Sequence, residues 1–471
     1  MSICFTTLVF AILTFKTIGV SKSFFDILIY KPLQSAMVFL LVVVVMSLSF
    51  VVLNLETATK KHPLKSQAII LFAMALTVVL SVIADMYFGR FSRPIALAGV
   101  FIAVVINKRS AIYSNIALAM IFILVEGLIY GFSVPVIVPS LHAMFAGVIM
   151  SIMVSRDDTR LKTVFTVVEL IPIYMALMCL FYFAFYKFDA YEFQISLLQV
   201  AISPIFSGFV FLGVLPIFEA LFKIVTPYYL TELTDINKGL LARLSKEAPG
   251  TFNHSLAVAN LSGACALALG EDVRLVRAMA YYHDIGKLSD PSVFKENLIS
   301  DEQNPHDKLT PELSVSLIKK HVSYGVELLK KRGLPVEIVN AAAEHHGTLP
   351  LKFFYYKAMK FSEGAVNLDN YSYEGPTPTS KLTAILMIVD GCEAAVRTLP
   401  DRNRQKVDEV VKSIIEERME LEQFDNCDIT FRDLQTIRTT LVDNFAGIYH
   451  ERIAYPKFKV SKNQVDTEDK Q

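Results

Sequence analysis

In the first half of the chain, apolar residues run together rather than alternate with polar ones. Apolar stretches lie near 2–20, 35–54, 67–87, 94–106, 114–132, 134–154, 163–186 and 193–224. Most reach the roughly 20 residues a helix needs to cross a hydrocarbon core. The 94–106 stretch is short and needs flanking residues to complete a crossing. The 193–224 stretch is long, and Pro204 and Pro216 predict a kink in it. Lys16 interrupts the first run, no basic segment precedes it, and no clear small-residue cleavage site stands before Lys22, so it reads as an anchor helix, with a cleaved signal peptide as the alternative.

From Pro227 to Ser245 the pattern turns amphipathic: Leu230, Leu233, Ile236, Leu240, Leu241 and Leu244 are interleaved with Glu232, Asp235, Lys238 and Arg243. Beyond the Pro249-Gly250 turn the spacing is helical. It predicts helices over Phe252–Leu269, with Gly270 as the stop, and Val273–Tyr282. Thr310 as N-cap and Pro311 as first residue open another, reaching His321 or beyond, and Tyr324–Lys331 is amphipathic. Val336–His346, Leu382–Thr398, 402–424 and 431–448 follow. Residues 291–308 and 363–380 read as irregular, the tail from Ser461 is polar with the composition of a disordered segment, and no strand pattern of any length occurs. The fold class is all-α: a polytopic transmembrane bundle (1–225, an anchor helix plus seven helices), a connector (226–246), an all-helical soluble domain (247–456) and a tail (457–471).

Composition sharpens this division. Hydrophobic residues make up 53% and charged residues only 19%, too apolar for an ordinary soluble protein. The formal net charge of zero leaves no global field to recruit a nucleic-acid polymer. Lys60, Lys61 and Lys65, then Lys108 and Arg109, then Arg156, Arg160 and Lys162 fall in alternate loops, whereas the intervening loops carry only Arg90, Arg93 and Lys187. Positive-inside counting places the richer loops, and the soluble half, in the cytoplasm of a multi-pass inner-membrane protein. The 5 cysteines form no CxxC pair, which fits a reducing compartment for the soluble half. Glu126, His142, Glu169 and Glu219 fall within apolar runs, where pairing inside the bundle is the first expectation and a ligand-sensing pocket the sharper one.

The chemistry gathers in the soluble half. His283-Asp284 ends an apolar helix, His254 stands upstream, and His321, His345-His346 and Asp390 follow. Five of the chain's 9 histidines belong to this set. Imidazole and carboxylate ligands without sulfur suit manganese, iron or other first-row ions. A shared carboxylate lets two such ions sit roughly 4 Å apart, where they can bind a phosphate oxygen and activate water for in-line attack. His345 and His346 point about 100° apart on a regular helix, so both reach one site only if the helix ends there, as Gly347 allows. Lys287 stands three residues beyond Asp284 and reads as a point charge for phosphate, and His306 as a loop residue near the substrate.

These residues carry a resemblance. His254, His283-Asp284 and Asp390 resemble the H…HD…D signature of HD-domain phosphohydrolases. Glu247-Ala248-Pro249-Gly250-Thr251, Tyr281-Tyr282-His283-Asp284-Ile285-Gly286-Lys287, Asn304-Pro305-His306-Asp307-Lys308-Leu309, Glu344-His345-His346-Gly347-Thr348 and Phe354-Tyr355-Tyr356-Lys357-Ala358 are similar to seven-transmembrane HD proteins of the PgpH type. The resemblance implies a metal-dependent phosphodiesterase that hydrolyses cyclic di-AMP to linear pApA. It implies one metal on His254, His283, Asp284 and Asp390, and a second on Asp284, His321, His345 and His346. Asp284, His283 and Lys287 are the implied catalytic residues, and Lys287, His306 and Tyr355 the implied substrate contacts. The alternatives are the same chemistry on cyclic di-GMP or a guanosine polyphosphate, or a nucleotide-binding receptor without turnover. His345-His346 is followed by Gly347-Thr348-Leu349, without the Gly-Tyr-Pro element of cyclic di-GMP enzymes. Two features depart from the family. The runs 2–20 and 35–54 lie too close together for the large extracellular domain common after the first helix. Ser289-Asp290 replaces residues that are commonly basic, and Asp290 is expected to disfavour phosphate. Homodimer formation is left open.

Overall fold

The computed structural model describes residues 32–57, 63–155, 159–222, 224–298, 304–361 and 365–448. The first apolar run, Lys60, Lys61, Arg156 and the polar tail lie outside the described residues. Two compact units divide between Glu232 and Leu233.

The first unit contains α1 (Pro32–Thr57), α2 (Pro63–Phe88), α3 (Ala96–Val105), α4 (Lys108–Tyr130), α5 (Val134–Met153), α6 (Arg160–Glu169), α7 (Ile171–Phe185), α8 (Ala190–Phe222) and the short α9 (Pro227–Leu233). Among the described residues, five stretches are long and apolar enough to cross a membrane: Leu64–Phe88, Lys108–Tyr130, Val134–Met153, Arg160–Phe185 and Ala190–Phe222. In α1 the strongly apolar part is the shorter Phe39–Val52. The 94–106 run forms only the ten-residue α3. At 1.5 Å per residue α3 cannot cross a bilayer alone. It is instead the buried centre of the unit, packed on by α2, α4, α5 and α8, with residues 96–104 all buried. The 163–186 run is divided at Leu170, because Pro172 in the first turn of α7 has no N–H to continue the ladder of α6.

Several ionisable side chains in this unit are paired. The Arg93 side chain is fully buried, and its Nη2 lies 2.6 Å from both Asp85 Oδ2 and Glu126 Oε1. Arg93 is therefore not the exposed loop charge that the sequence suggests. His142 Nε2 donates to the Tyr174 carbonyl at 3.0 Å, and Glu219 pairs with Arg160 at 2.8 Å. Glu169 is exposed. Pairing is thus the outcome for three of the four ionisable residues singled out in the apolar runs.

The second unit contains α10 (Gly239–Glu247), α11 (Pro249–Leu269), α12 (Val273–Tyr282), α13 (Pro311–Lys331), α14 (Val336–Glu344), α15 (Lys352–Phe361), α16 (Lys381–Thr398), α17 (Arg404–Glu420) and α18 (Phe431–Ile448). The amphipathic stretch 226–246 is two helices, α9 and α10, rather than one. Two cap signals act as the sequence predicts: Gly270 takes φ 72° after α11, and Thr310 accepts from Leu313 N ahead of Pro311; the structure adds Asp272, which accepts from two amides of α12. Helix α15 carries aromatic residues without a clear apolar stripe and has no counterpart in the sequence-based expectation. Helix α16 is the axis of the unit, with residues 382–390 all buried against α11, α12, α14 and α17. Among the described residues the only β-type pairing is an isolated bridge between Pro350 and Ser372.

Candidate metal centre

Five segments converge. His254 lies within α11, His283 caps α12, His321 lies within α13, His345 and His346 follow α14, and Asp390 lies on α16. The helix ends account for the adjacent ligands. Helix α12 stops at Tyr282, and Asp284 leaves it to begin a 3-10 turn. That turn packs directly on α13. A Cβ on Gly286 would lie 1.8 Å from the His321 carbonyl, so only glycine allows the approach that brings Asp284 beside His321. Helix α14 stops at Glu344, which frees His345 and His346 to face the same side. Gly347 then turns away at φ 49°, with Gln423 filling the space a side chain would need. Gln423 donates to Thr348 Oγ1 at 2.8 Å and accepts from Thr348 N at 3.0 Å, clasping the turn.

All seven expected ligands meet here, in two groups. Asp284, His321, His345 and His346 form one; His254, His283 and Asp390 form the other, and in each group the ligand atoms lie within 4.8 Å of one another. Asp284 stands between them. Its Oδ1 lies 3.5 Å from His321 Nε2 and 3.6 Å from His345 Nε2. Its Oδ2 lies 3.3 Å from His283 Nε2 and 3.8 Å from His254 Nε2.

The imidazoles are oriented from behind. His283 Nδ1 donates to Ala280 O at 2.7 Å, His321 Nδ1 to Ile318 O at 2.6 Å and His345 Nδ1 to Ala342 O at 3.0 Å. Each is a carbonyl about one helical turn back, so each Nε2 points into the centre. His254 Nδ1 faces Glu393 Oε2 at 2.5 Å, and its Nε2 faces Asp390 Oδ1 at 2.8 Å. Buried His283 Nε2 and Asp284 Oδ1 have no hydrogen-bond partner among the described residues. Orphaned polar atoms are costly inside a protein, and these two face other ligand atoms across a gap a cation would fill. The residues present therefore fit divalent metal.

The electrostatics agree. Burial works against charge on His283 and His254, but Asp284, Asp390 and Glu393 outweigh it and raise them to about 10 and about 8 in the metal-free protein. Burial lowers His321 to about 3 and His346 well below its ordinary value, so both are neutral ligands. Asp284 and Asp390 are held ionised despite burial, Asp284 by Lys287 and His283, Asp390 by His254 and His283.

The remaining expected residues are placed differently from one another. Lys287 Nζ sits 2.8 Å from Asp284 Oδ2 and 2.7 Å from Glu296 Oε1, under the face of the Phe294 ring. Two carboxylates hold its ammonium. His306 donates from Nε2 to Val293 O at 2.9 Å, tying down the irregular stretch before α13. Tyr355 is half-buried against Tyr371. Asp290 is exposed and accepts from Ser292. A cleft of about 940 Å³ opens onto His346 and is lined by Lys319, Asn370, Tyr373 and Glu374 among others; Lys287, His306 and Tyr355 are not in its lining.

Glu393, Glu296, Gln423 and Tyr373 were not singled out in the sequence. Glu393 alone had a local signal: it follows Asp390 by three residues and so shares its helix face.

Comparison with known proteins agrees with this geometry. The HD domain family matches residues 251–395, and the family described as a 7TM receptor with intracellular HD hydrolase matches residues 32–226. The cyclic-di-AMP phosphodiesterase PgpH of Bacillus subtilis (strain 168) is 32% identical over 440 residues, covering 91% of this chain and 61% of its own length. The cyclic-di-AMP phosphodiesterase PgpH of Listeria monocytogenes (strain 10403S) is 44% identical over 247 residues, covering 52% of this chain and 34% of its own. A crystal structure of the L. monocytogenes PgpH HD domain in complex with cyclic-di-AMP is 45% identical, covers 46% of this chain and 99% of its own, and superposes with a TM-score of 0.44. The chain thus spans less than two thirds of the length of these two full-length relatives. It is a multi-pass membrane protein with an all-helical HD domain, and it belongs to the family of seven-transmembrane HD proteins.

Proposed function

We propose that this chain is a membrane-anchored phosphodiesterase that hydrolyses cyclic di-AMP to linear pApA. The observation that carries the reading is the position of Asp284, with one carboxylate oxygen turned to each ligand group. That is the arrangement a shared ligand between two cations requires. His254, His283, Asp284 and Asp390 would hold one ion, and Asp284, His321, His345 and His346 the other. Nitrogen and oxygen ligation without sulfur favours manganese or iron. Two such ions supply positive charge for the phosphodiester and for the attacking water. The protein's own part is orientation. Backbone carbonyls aim three imidazoles, Glu393 aims His254, and Lys287 holds Asp284 ionised. The names of the relatives support cyclic di-AMP as the substrate.

The cytoplasmic side is the proposed location of residues 247–456. Burial of Arg93 between two carboxylates removes it from the poorer loops, which widens the charge bias used for orientation.

The test is turnover by the full chain in detergent with manganese or iron. Cyclic di-AMP converted to pApA in preference to cyclic di-GMP is the expected result. Failure to hydrolyse any cyclic dinucleotide while two metal equivalents are bound would end the reading.

A further inference from the structure

Tyr373 is the aromatic side chain that faces both the metal centre and the cleft. Its ring stacks on His346, with centroids 4.3 Å apart and planes 24° from parallel, and stands edge-on to His321 at 6.1 Å. Its loop is held firmly. Tyr373 N donates to Leu349 O at 3.0 Å, Leu351 N donates to Tyr371 O at 2.8 Å, and Pro350 bridges Ser372. This small ladder joins the loop to the segment that directly follows His345-His346, so ligand and tyrosine keep a common register. Tyr373 lines the cleft beside His346, and its phenol lies within electrostatic reach of Asp284, Asp390, Lys287 and Glu296. The hydroxyl makes no hydrogen bond to any of the described residues, and the half-buried side chain lines the cleft, so its O–H is left to whatever enters there. At neutral pH a phenol is an O–H donor. On the phosphodiesterase reading, the group that would enter the cleft carries an anionic phosphodiester.

We propose that Tyr373 contacts the substrate: seated on His346, it donates a hydrogen bond to a non-bridging oxygen of the scissile phosphodiester. The proposal rests on the phosphodiesterase reading above. It gives the stack two roles at once, fixing the plane of a ligand imidazole and carrying a donor to the reacting group. No proton is transferred; the bond orients the phosphorus for attack and withdraws charge from its oxygen.

The test is Tyr373→Phe in the full chain, which keeps the ring and removes only the hydroxyl. Metal content and thermal unfolding should match the unaltered protein, while kcat/KM for cyclic di-AMP falls by about 10- to 100-fold, the usual effect of losing a hydrogen bond to a charged group. A cyclic dinucleotide with a phosphorothioate at the scissile position gives a second readout. For the diastereomer whose sulfur replaces the accepting oxygen, the variant's deficit should shrink toward zero. Turnover within about twofold of the unaltered protein, with metal intact, would overturn the contact and leave the phosphodiesterase reading standing. Loss of metal in the Phe variant would also overturn it, by making Tyr373 only a support for His346. Absence of turnover by the unaltered, metal-loaded chain would overturn both.

Discussion

Arg93 in the membrane unit and Asp284 in the HD unit are both buried charges, each set between groups from other segments. Around Arg93 the set is closed: two carboxylates meet one guanidinium at 2.6 Å, and Arg90 approaches Glu126 from the side. Around Asp284 the set is open. Several imidazoles aim nitrogens at the same gap, and His283 Nε2 and Asp284 Oδ1 have no hydrogen-bond partner among the described residues. A closed set explains itself as packing in a medium where unpaired charge is costly. An open one fits a further ion. Burial and charge alone would rank the two clusters together, and so would orphaned atoms, since buried Arg93 Nε also lacks a hydrogen-bond partner among the described residues. What separates them is that the first set carries its own cation, while the second brings imidazole nitrogens and carboxylate oxygens within 4.8 Å of one another in each ligand group.

Asp284→Ala should break the open set most severely. Removing a ligand shared by both groups is expected to abolish loading at both positions and to lower turnover by more than about 100-fold, beyond the usual cost of losing an outer partner. Metal analysis of the purified variant checks this directly. Two equivalents retained would contradict the shared ligand.

Arg93→Met should do the reverse, leaving the metal centre alone and striking the fold of the bundle. Asp85 and Glu126 would lose their common counter-charge, a change that costs about 3–5 kcal/mol in buried pairs. Thermal unfolding in detergent should fall while metal content holds. Replacing Arg93, Asp85 and Glu126 together with apolar residues should recover much of the loss, since then no charge is left uncompensated. If the triple variant is worse than Arg93→Met, the cluster is more than packing.

What the sequence reveals follows the same division. The ligands were legible because histidine and aspartate at helix ends carry chemistry in their identity, and because Gly270, Thr310-Pro311 and Gly347 mark where helices begin and stop. Their supports were not. Gln423 reaches Thr348 across 75 positions, and Tyr373 reaches His346 from an irregular loop, so no period links them to the site. Lys287 was read as a phosphate contact, yet its ammonium lies between Asp284 and Glu296, a pairing that depends on how the 3-10 turns fold back. In the bundle, Arg93 looked like a loop charge because its partners Asp85 and Glu126 belong to other helices.

Glu393→Gln sharpens the account of the open set at smaller scale. The variant keeps an acceptor for His254 Nδ1–H but removes its charge, lowering the basicity of the ring at Nε2. A loss of about 10- to 100-fold in metal affinity is expected, with the fold intact. Titration of metal into the stripped protein measures it, and an unchanged affinity would show that the carbonyl-aimed histidines suffice.

The smallest effect is a proton count. In the metal-free protein His254 and His283 titrate at about 8 and about 10, because nearby carboxylates outweigh the burial that opposes their charge. Both therefore carry a proton at pH 7, and a metal taking the Nε2 lone pair must displace it. Both values are raised, so affinity rises with pH: most steeply below 8, where two protons must leave, less so between 8 and 10, and not at all above. His321 and His346 are already neutral and release nothing. Calorimetry at pH 7 in buffers of different ionisation enthalpy should find close to two protons released when both ions load. The Arg93 cluster predicts no such release, since it takes up no ion, so Arg93→Met should leave the count unchanged. A count near zero would mean that burial outweighs the carboxylates of the open set and keeps the histidines neutral before any metal arrives.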